Sequence, residues 1–151
     1  HIRRNTMLQP GTDAPDFSVN DHNGNNIQLK DYRGKKIVIW FYPKADTPGC
    51  TVEGQGFRDD FKKFEEKGVQ IFGVSLDNEN DNKAFAEKFS FPYPLLCDVN
   101  REIALGYHAV KNKEDQHAAR ISYVISEDGK ILESIESVDT KNHSNDLCSR
   151  Y

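Results

Sequence analysis

Three residues in the first third of the chain have types and a spacing that suit thiol chemistry. Pro43, Thr47 and Cys50 lie in the segment 43–53, which directly follows a continuous apolar run. Cys50 falls in or just before the first turn of a predicted helix. Unpaired N–H groups and the positive end of the helix favour a thiolate over a thiol at that place. The position of Cys50 therefore makes it a candidate nucleophile.

A second interpretation of Cys50 competes with this one, because most free cysteines are small buried hydrophobes. A residue beside Pro48 and Gly49, between a turn-forming loop and a helix, has little reason to belong to a core. Thr47 lies three residues earlier and can hydrogen-bond the sulfur or an oxygen atom beside it. Pro43 stiffens the loop and can shield the sulfur from water. Position alone does not decide between the two interpretations.

The composition predicts one soluble domain that spans residues 1–151. The chain has 20 Lys and Arg against 24 Asp and Glu, a formal net charge of −4. These charges are interleaved, which argues against a nucleic-acid-binding face. The mean hydropathy of −0.75 and the absence of a long apolar run exclude a membrane-spanning helix. Residues 1–7 lack the apolar stretch of a signal peptide, and we expect them to be frayed, tag-derived or the end of a processed transit segment.

The cysteine and histidine content predicts a reduced protein without a metal or another cofactor. Cys50, Cys97 and Cys148 are too few and too far apart for a disulfide framework, and no CxxC pair occurs. The five histidines show no HxH or HExxH spacing. We therefore expect free thiols and a cytoplasmic location, or an organellar one if the N-terminus is a processed transit segment.

The pattern of apolar residues predicts the elements that position the loop. Residues 37–42 form a continuous apolar run, which is typical of a parallel strand buried on both faces. A helix is predicted from the loop to Lys67, with Gly68 as its C-terminal cap. The remaining predictions are a hairpin around 21–25, a strand at 69–75, a helix at 78–89, a strand at 94–97, a short helix at 101–106, and a second hairpin from 121–125 and 130–135.

This order of elements predicts an α/β protein with a mixed central sheet and helices on both faces. The loop after residues 37–42 then lies beyond the carboxyl end of a parallel strand, where reactive groups of open α/β sheets gather. The fold prediction thus places Cys50 at the edge of the sheet that most often holds an active site.

Pro43, Thr47 and Cys50 form the pattern P-x-x-x-T-x-x-C, which resembles the active-site motif of the peroxiredoxins. The longer segment 41–59 is similar to the subfamily called PrxQ or bacterioferritin comigratory protein. The similarity extends over roughly residues 8–142 and includes the segments 10–17, 73–75, 91–96, 119–125 and 128–131. This resemblance implies a thioredoxin-like fold with an N-terminal β-hairpin.

The resemblance also implies a role for each residue of the motif. Cys50 would be the peroxidatic cysteine, which a peroxide oxidises to a sulfenic acid. Thr47 would bind the peroxide through its hydroxyl, and Pro43 would pack over the site. Arg120 would hold the sulfur and the peroxide oxygens by charge-assisted hydrogen bonds. The alternative for Arg120 is a surface ion pair with an acid such as Glu53.

The usual positions of a second, resolving cysteine are empty in this chain. Relatives carry that cysteine five residues after the peroxidatic one or in the next helix, and Gln55 and Ala86 stand at those positions here. This departure predicts a one-cysteine cycle, in which an external thiol such as thioredoxin, glutaredoxin or glutathione reduces the sulfenic acid on Cys50.

Two other cysteines remain as candidates for the resolving role. Cys97 ends a predicted strand on the same edge of the sheet as Cys50, although we favour a buried core thiol for it. Cys148 lies in the polar segment 142–151, which we expect to be a short helix or a mobile tail. The sequence does not rank an incidental, an intermolecular and a resolving role for Cys148.

The glycines that follow Cys50 predict a helix start that opens easily. Gly54 and Gly56 each cost about 1 kcal/mol relative to alanine inside a helix. Opening there would expose oxidised Cys50 to its reductant. The alternative is that both glycines only allow close packing against the sheet.

The resemblance therefore predicts a thiol-dependent peroxidase that reduces hydrogen peroxide and organic hydroperoxides. The alternative function is a thioredoxin-fold redox sensor or relay that uses Cys50 without efficient turnover. The expected partners are a peroxide and a thiol reductant, with no nucleic acid and no membrane. We expect a monomer or a weak dimer.

Overall fold

A five-stranded mixed sheet lies at the centre of the computed structural model, which describes residues 7–151. The strands are β1 (Ser18–Asn20), β2 (Asn26–Gln28), β3 (Lys36–Phe41), β4 (Val69–Ser75), β5 (Leu95–Cys97), β6 (Ser122–Ile125) and β7 (Ile131–Ile135). The helices are α1 (Pro48–Asp59), α2 (Phe61–Glu66), α3 (Glu79–Phe89), α4 (Glu102–Gly106) and α5 (His143–Arg150), with a 3-10 helix at Leu29–Tyr32.

The central sheet has the strand order β5-β4-β3-β6-β7. β3 pairs with β4 and β4 with β5 in parallel, whereas β6 and β7 are antiparallel additions. β1 and β2 form the predicted N-terminal hairpin. Because β3, β4 and β5 are parallel, their carboxyl ends meet at one edge, and the loop that carries Cys50 lies there.

Two apolar clusters cover the two faces of the sheet. One face packs against α1, α2, α3 and α5, and the other against the hairpin, the 3-10 helix and α4. Trp40 of β3 stacks on Phe57 of α1 with ring centroids 5.4 Å apart. The mixed sheet with helices on both faces is therefore confirmed. The stacking also anchors α1, the helix that contains Cys50, to β3.

The helix predicted up to Lys67 is divided into α1 and α2 at Asp60. This residue has φ −94° and ψ 2°, and its carboxylate accepts a hydrogen bond from the Ser144 hydroxyl at 2.9 Å. The division between α1 and α2 thus coincides with a contact to α5, which the periodicity of apolar residues does not predict. Gly68 adopts the left-handed conformation with φ +74° and ends the helical segment as predicted.

The C-terminal segment forms a helix, α5, which is the first of the two alternatives given above. α5 packs along α1 and buries Leu147 completely, and Cys148 is only 5% exposed. Lys67 also donates a hydrogen bond to the Cys148 carbonyl. The segment is polar overall, but its few apolar side chains share one helix face and this face is covered by α1.

The expectation of a frayed or tag-derived N-terminus concerns residues 1–6, which lie outside the described residues, and Met7. Met7 is half-buried, and the Tyr123 hydroxyl lies 3.7 Å from its Sδ atom. Among residues 7–151, no helix has both the length and the apolar character needed to cross a membrane.

Candidate active site

Cys50 is the third residue of α1 and is completely buried. Thr47 precedes the helix in an extended conformation and Pro48 opens it. The N–H groups of the first turn have no acceptor within the helix, so their positive ends surround the residues that begin it. The prediction that Cys50 lies at a helix start at the carboxyl edge of the sheet is confirmed.

The loop before Cys50 is held to two neighbouring elements. The backbone N–H of Ala45 donates to Asp77 at 2.8 Å, just beyond β4. Asp46, in the left-handed conformation with φ +61°, pairs with Lys88 of α3 at 2.9 Å. Thr47 donates its hydroxyl to the Lys44 carbonyl at 2.8 Å. The Thr47 side chain is therefore oriented by its own loop, and its oxygen keeps lone pairs that can accept a hydrogen bond.

Pro43 lies half-buried at the end of β3, on the same loop as Thr47. Its carbonyl oxygen is 3.2 Å from Nδ1 of His117, a residue that the sequence did not single out as part of the site. This contact joins the loop to the segment that leads to Arg120. Local sequence patterns do not predict this contact, because the two residues are 74 positions apart.

Arg120 links Cys50 to Glu53. One guanidinium nitrogen lies 3.5 Å from the Cys50 sulfur, and the other lies 2.9 Å from Oε1 of Glu53. The guanidinium also passes so close to Gly49 that a Cβ atom there would lie 2.9 Å from it. Burial alone would lower the pKa of Arg120, but the facing charges of Cys50 and Glu53 raise it.

The two interpretations of Arg120 from the sequence turn out to describe one arrangement. The ion pair with Glu53 exists, but Glu53 is only 1% exposed and the pair is not on the surface. Glu53 lies one helical turn after Cys50, so the two side chains share a face of α1. The sequence analysis named Glu53 only as a possible surface partner of Arg120; its i+3 spacing from Cys50 is a signal that could have placed it in the site, but spacing does not predict its burial.

Burial raises the pKa of Glu53 to about 7, although the hydrogen bond and the charge of Arg120 act in the opposite direction. The second oxygen of this carboxylate, Oε2, has no hydrogen-bond partner within residues 7–151. His143 of α5 brings Nε2 to 3.9 Å from that oxygen. Glu53 and His143 are thus parts of the site that the sequence analysis did not assign.

Cys97 lies at the end of β5, two strands away from β3 in the sheet. Strands β3 and β5 are therefore roughly 10 Å apart, and Cys50 lies in the helix that follows β3 without a disulfide to Cys97. The Cys97 sulfur is 3.5 Å from the Asn82 amide, which also accepts a hydrogen bond from the Tyr42 hydroxyl at 2.6 Å. Burial raises the pKa of Cys97 to about 11, so its thiol keeps the proton.

Cys148 lies near the opposite end of the sheet from Cys50. Its carbonyl contacts Lys67, which precedes the first residue of β4, whereas Cys50 lies beyond the last residues of β3. All three cysteines are free and buried. The structure therefore does not bring either candidate resolving cysteine into contact with Cys50.

Gln55 and Ala86 occupy the positions where relatives carry a resolving cysteine. Gln55 is half-buried in α1, and Ala86 is only 3% exposed in α3. Within residues 7–151, no group of three or more His, Cys, Asp or Glu side chains could hold a metal ion.

Comparisons with known proteins agree with this geometry. Residues 10–134 match the model of the AhpC/TSA family. The chain is 36% identical to peroxiredoxin Bcp of Escherichia coli strain K12, over 90% of each protein. It is 35% identical to the chloroplastic peroxiredoxin Q of Gentiana triflora, over 82% of this chain and 57% of that protein. The crystal structure of peroxidoxin BcpB from Mycobacterium tuberculosis superposes with a TM-score of 0.87 at 31% identity, covering 94% of this chain and 95% of that one.

Proposed function

Because this chain belongs to the AhpC/TSA family and is a thiol-dependent peroxidase, we propose that Cys50 is the residue that the peroxide oxidises. The observation that carries this assignment is the contact of 3.5 Å between the Arg120 guanidinium and the Cys50 sulfur. A cation at that distance stabilises negative charge as it moves from the sulfur to the departing oxygen, and the first turn of α1 adds its positive end. The relatives are peroxiredoxins, which favours an enzyme over the alternative of a redox sensor.

The proposed oxidation uses the residues that surround the sulfur. The Cys50 thiolate attacks one oxygen of the peroxide, the O–O bond breaks, and the sulfur becomes a sulfenic acid while the other oxygen leaves and takes up a proton. Arg120 stabilises the charge that grows on the leaving oxygen. The Thr47 oxygen accepts a hydrogen bond from the peroxide, and Pro43 covers the site.

The positions of the remaining thiols support a one-cysteine cycle. Cys97 lies two strands away and keeps its proton, and Cys148 lies near the other end of the sheet. We propose that an external thiol attacks the sulfenic acid, releases water and forms a mixed disulfide, which a second thiol then reduces. Thioredoxin, glutaredoxin and glutathione are the candidates for this reductant.

Complete burial of Cys50 means that a large reductant reaches the sulfur only after a local change. We propose that the first turn of α1 opens after oxidation. Amide hydrogen exchange across residues 50–57 should therefore quicken when the protein is oxidised. Slow exchange that does not change on oxidation would contradict this opening.

We propose that organic hydroperoxides are substrates in addition to hydrogen peroxide. Arg120 is among the residues that line a pocket of about 370 Å³, which has space for an alkyl group, whereas Cys50, Thr47 and Pro43 do not line this pocket. Its apolar side is formed by Met7, Ala109, Val110, Ala118 and Ile121.

We further propose that residues 1–151 form one domain. We propose that this domain acts as a monomer or weak dimer and that the protein is cytoplasmic.

Mass spectrometry after a single turnover tests the site and the cycle together. Reduced protein receives one equivalent of hydrogen peroxide with and without a sulfenic-acid trap, and its peptides are then mapped. We expect the trap on Cys50. A protein in which Cys50 stays reduced contradicts the site assignment, whereas a loss of two hydrogens with a Cys50–Cys97 link contradicts the one-cysteine cycle. The Cys97→Ser and Cys148→Ser variants are matched controls and should give the wild-type result.

A further inference from the structure

One carboxylate oxygen of Glu53 is left without a partner in the active site. Arg120 contacts Oε1 at 2.9 Å, while Oε2 is buried and accepts no hydrogen bond from residues 7–151. A buried carboxylate with half of its acceptors unused takes up a proton easily. Once protonated, Glu53 no longer attracts Arg120 by charge. The orientation of Arg120 on Cys50 therefore depends on what keeps Glu53 ionised.

His143 places a ring nitrogen beside this unused oxygen. Its Nε2 atom lies 3.9 Å from Oε2 of Glu53 and 2.8 Å from the Ser122 hydroxyl oxygen. The ring also stands edge-on against Phe57, with centroids 5.6 Å apart. The side chain is 5% exposed. Contacts with α1 and β6 thus hold a polar ring from the C-terminal helix at the back of the active site.

Burial leaves the His143 ring neutral at physiological pH. Burial lowers its pKa to about 4, with a further contribution from Arg150 of the same helix. Asp146 of α5, Asp139 of the preceding loop and Glu133 of β7 act in the opposite direction but do not prevail. His143 is therefore not a counter-ion for Glu53, and its effect must come from a neutral imidazole.

Arg120 and Tyr93 also lie near Glu53, but neither of them forms a hydrogen bond with its Oε2 atom. Arg120 supplies the charge on one side, and the Tyr93 hydroxyl is committed to the Gly54 carbonyl at 2.8 Å. A neutral imidazole carries one N–H, and an ionised Glu53 favours the tautomer with that proton on Nε2. In this tautomer the N–H donates to the Ser122 hydroxyl oxygen at 2.8 Å. The positive end of the same group lies 3.9 Å from Oε2, which is too far for a hydrogen bond but within reach of electrostatic attraction in a water-poor interior.

We propose that His143 is a positioning residue for the peroxidase reaction, which keeps Glu53 ionised through Nε2 and thereby holds Arg120 against Cys50. The inference rests on the proposed role of Cys50 as the oxidised residue. It extends the active site to α5, a helix that contributes no atom to the contact with the sulfur.

Three variants separate this role from a structural one. His143→Phe keeps an aromatic ring against Phe57 and removes Nε2, and His143→Gln retains an N–H donor. Ser144→Ala is the matched control, because Ser144 lies in the same turn of α5 and contacts Asp60 at 2.9 Å. It disturbs the docking of α5 on α1 without removing a polar group next to Glu53.

The readout is the rate at which hydrogen peroxide oxidises Cys50 without reductant, measured by stopped flow over a range of pH. We expect His143→Phe to slow oxidation about tenfold at neutral pH and to move the acid limb of the profile up by about one pH unit. His143→Gln should restore most of the rate, and Ser144→Ala should resemble wild type. A wild-type profile in His143→Phe, or an equal shift in Ser144→Ala, overturns the inference.

Alkylation of Cys50 by iodoacetamide provides a second readout, because that reaction does not need Arg120 to hold a peroxide. We expect His143→Phe to slow alkylation less than it slows peroxide oxidation. An equal loss in both reactions indicates damage to the fold and overturns the positioning role. Cys50→Ser is the separate control for the site itself: if it still consumes peroxide, the assignment of Cys50 fails and not only that of His143.

Discussion

Arg120 combines two contacts that are usually considered separately, a thiolate contact and a carboxylate ion pair. Its planar fork reaches the Cys50 sulfur with one nitrogen and Glu53 with the other. A Cβ atom at Gly49 would lie 2.9 Å from this guanidinium, so a larger residue there would displace the end of the Arg120 side chain. A lysine has a single ammonium group and cannot make both contacts in the same geometry.

Replacement of Arg120 should therefore impair peroxide oxidation even when the charge is kept. We expect Arg120→Met to reduce the second-order rate constant for Cys50 oxidation by about 100-fold or more, and Arg120→Lys to recover only part of it. Stopped-flow measurement with hydrogen peroxide gives this constant directly.

Arg58→Met is the control for the loss of an arginine next to α1. Arg58 lies on the same helix as Cys50, and it donates to the Phe89 carbonyl at 2.9 Å and pairs with Asp59. Its replacement should leave the rate constant within a factor of about two, as expected for a weak surface pair. A full rate in Arg120→Lys would show that charge alone is sufficient.

At the scale of the element, α1 illustrates a conflict between helix propensity and packing. Gly54 and Gly56 both weaken a helix in the sequence-based view. In the structure a Cβ atom on Gly54 would lie 2.5 Å from the Phe91 ring, whereas one on Gly56 would lie 3.4 Å from the nearest atom, Cβ of Ser144. Close packing thus accounts for Gly54 and only weakly for Gly56, although the neighbour of Gly54 is Phe91 between α3 and β5 and not a residue of the sheet.

The two glycines should respond oppositely to the same substitution. We expect Gly54→Ala to lower the free energy of unfolding by about 1–3 kcal/mol, because the added methyl group collides with a buried ring. Gly56→Ala should be neutral or raise it by up to about 1 kcal/mol, because helix propensity improves without a clash. Urea unfolding of both variants measures the difference, and equal effects would contradict the packing explanation.

At the scale of the whole molecule, buried titratable groups couple stability to pH in two directions. The pKa of His143 is lowered by burial from 6.5 to about 4, so the unfolded chain binds its proton at a higher pH than the folded one. Its contribution to stability is therefore lost as the pH falls from about 6.5 to 4. The pKa of Glu53 is raised by burial from 4.5 to about 7, so its contribution is lost as the pH rises over that range.

Two substitutions should consequently change the pH dependence of stability with opposite signs. Titration of His143 makes the free energy of unfolding rise from acidic to neutral pH. We expect His143→Phe to reduce this rise by up to about 3 kcal/mol. Glu53→Gln should increase this rise by a similar amount. Urea unfolding at a series of pH values tests both, and changes of the same sign would contradict the assigned causes.

Much of the fold was predictable because it depends on local patterns. The apolar run 37–42, the hairpin signals and the glycine after the second helical segment each constrain the backbone within a few residues. Strand pairing then follows from the small number of ways in which such elements pack. The motif around Cys50 was recognisable for the same reason, since strand, loop and helix start are contiguous in the chain.

The rest was decided by contacts between distant residues. Whether Glu53 is a surface acid or a buried partner of Arg120 depends on α5, and α5 looks like a polar tail until α1 covers its apolar face. The same holds for Cys97 and Cys148, whose distance from Cys50 is set by strand order and helix docking. Spacing along the chain carries no information on burial by a remote element, so only the tertiary structure determines which charges lose their water.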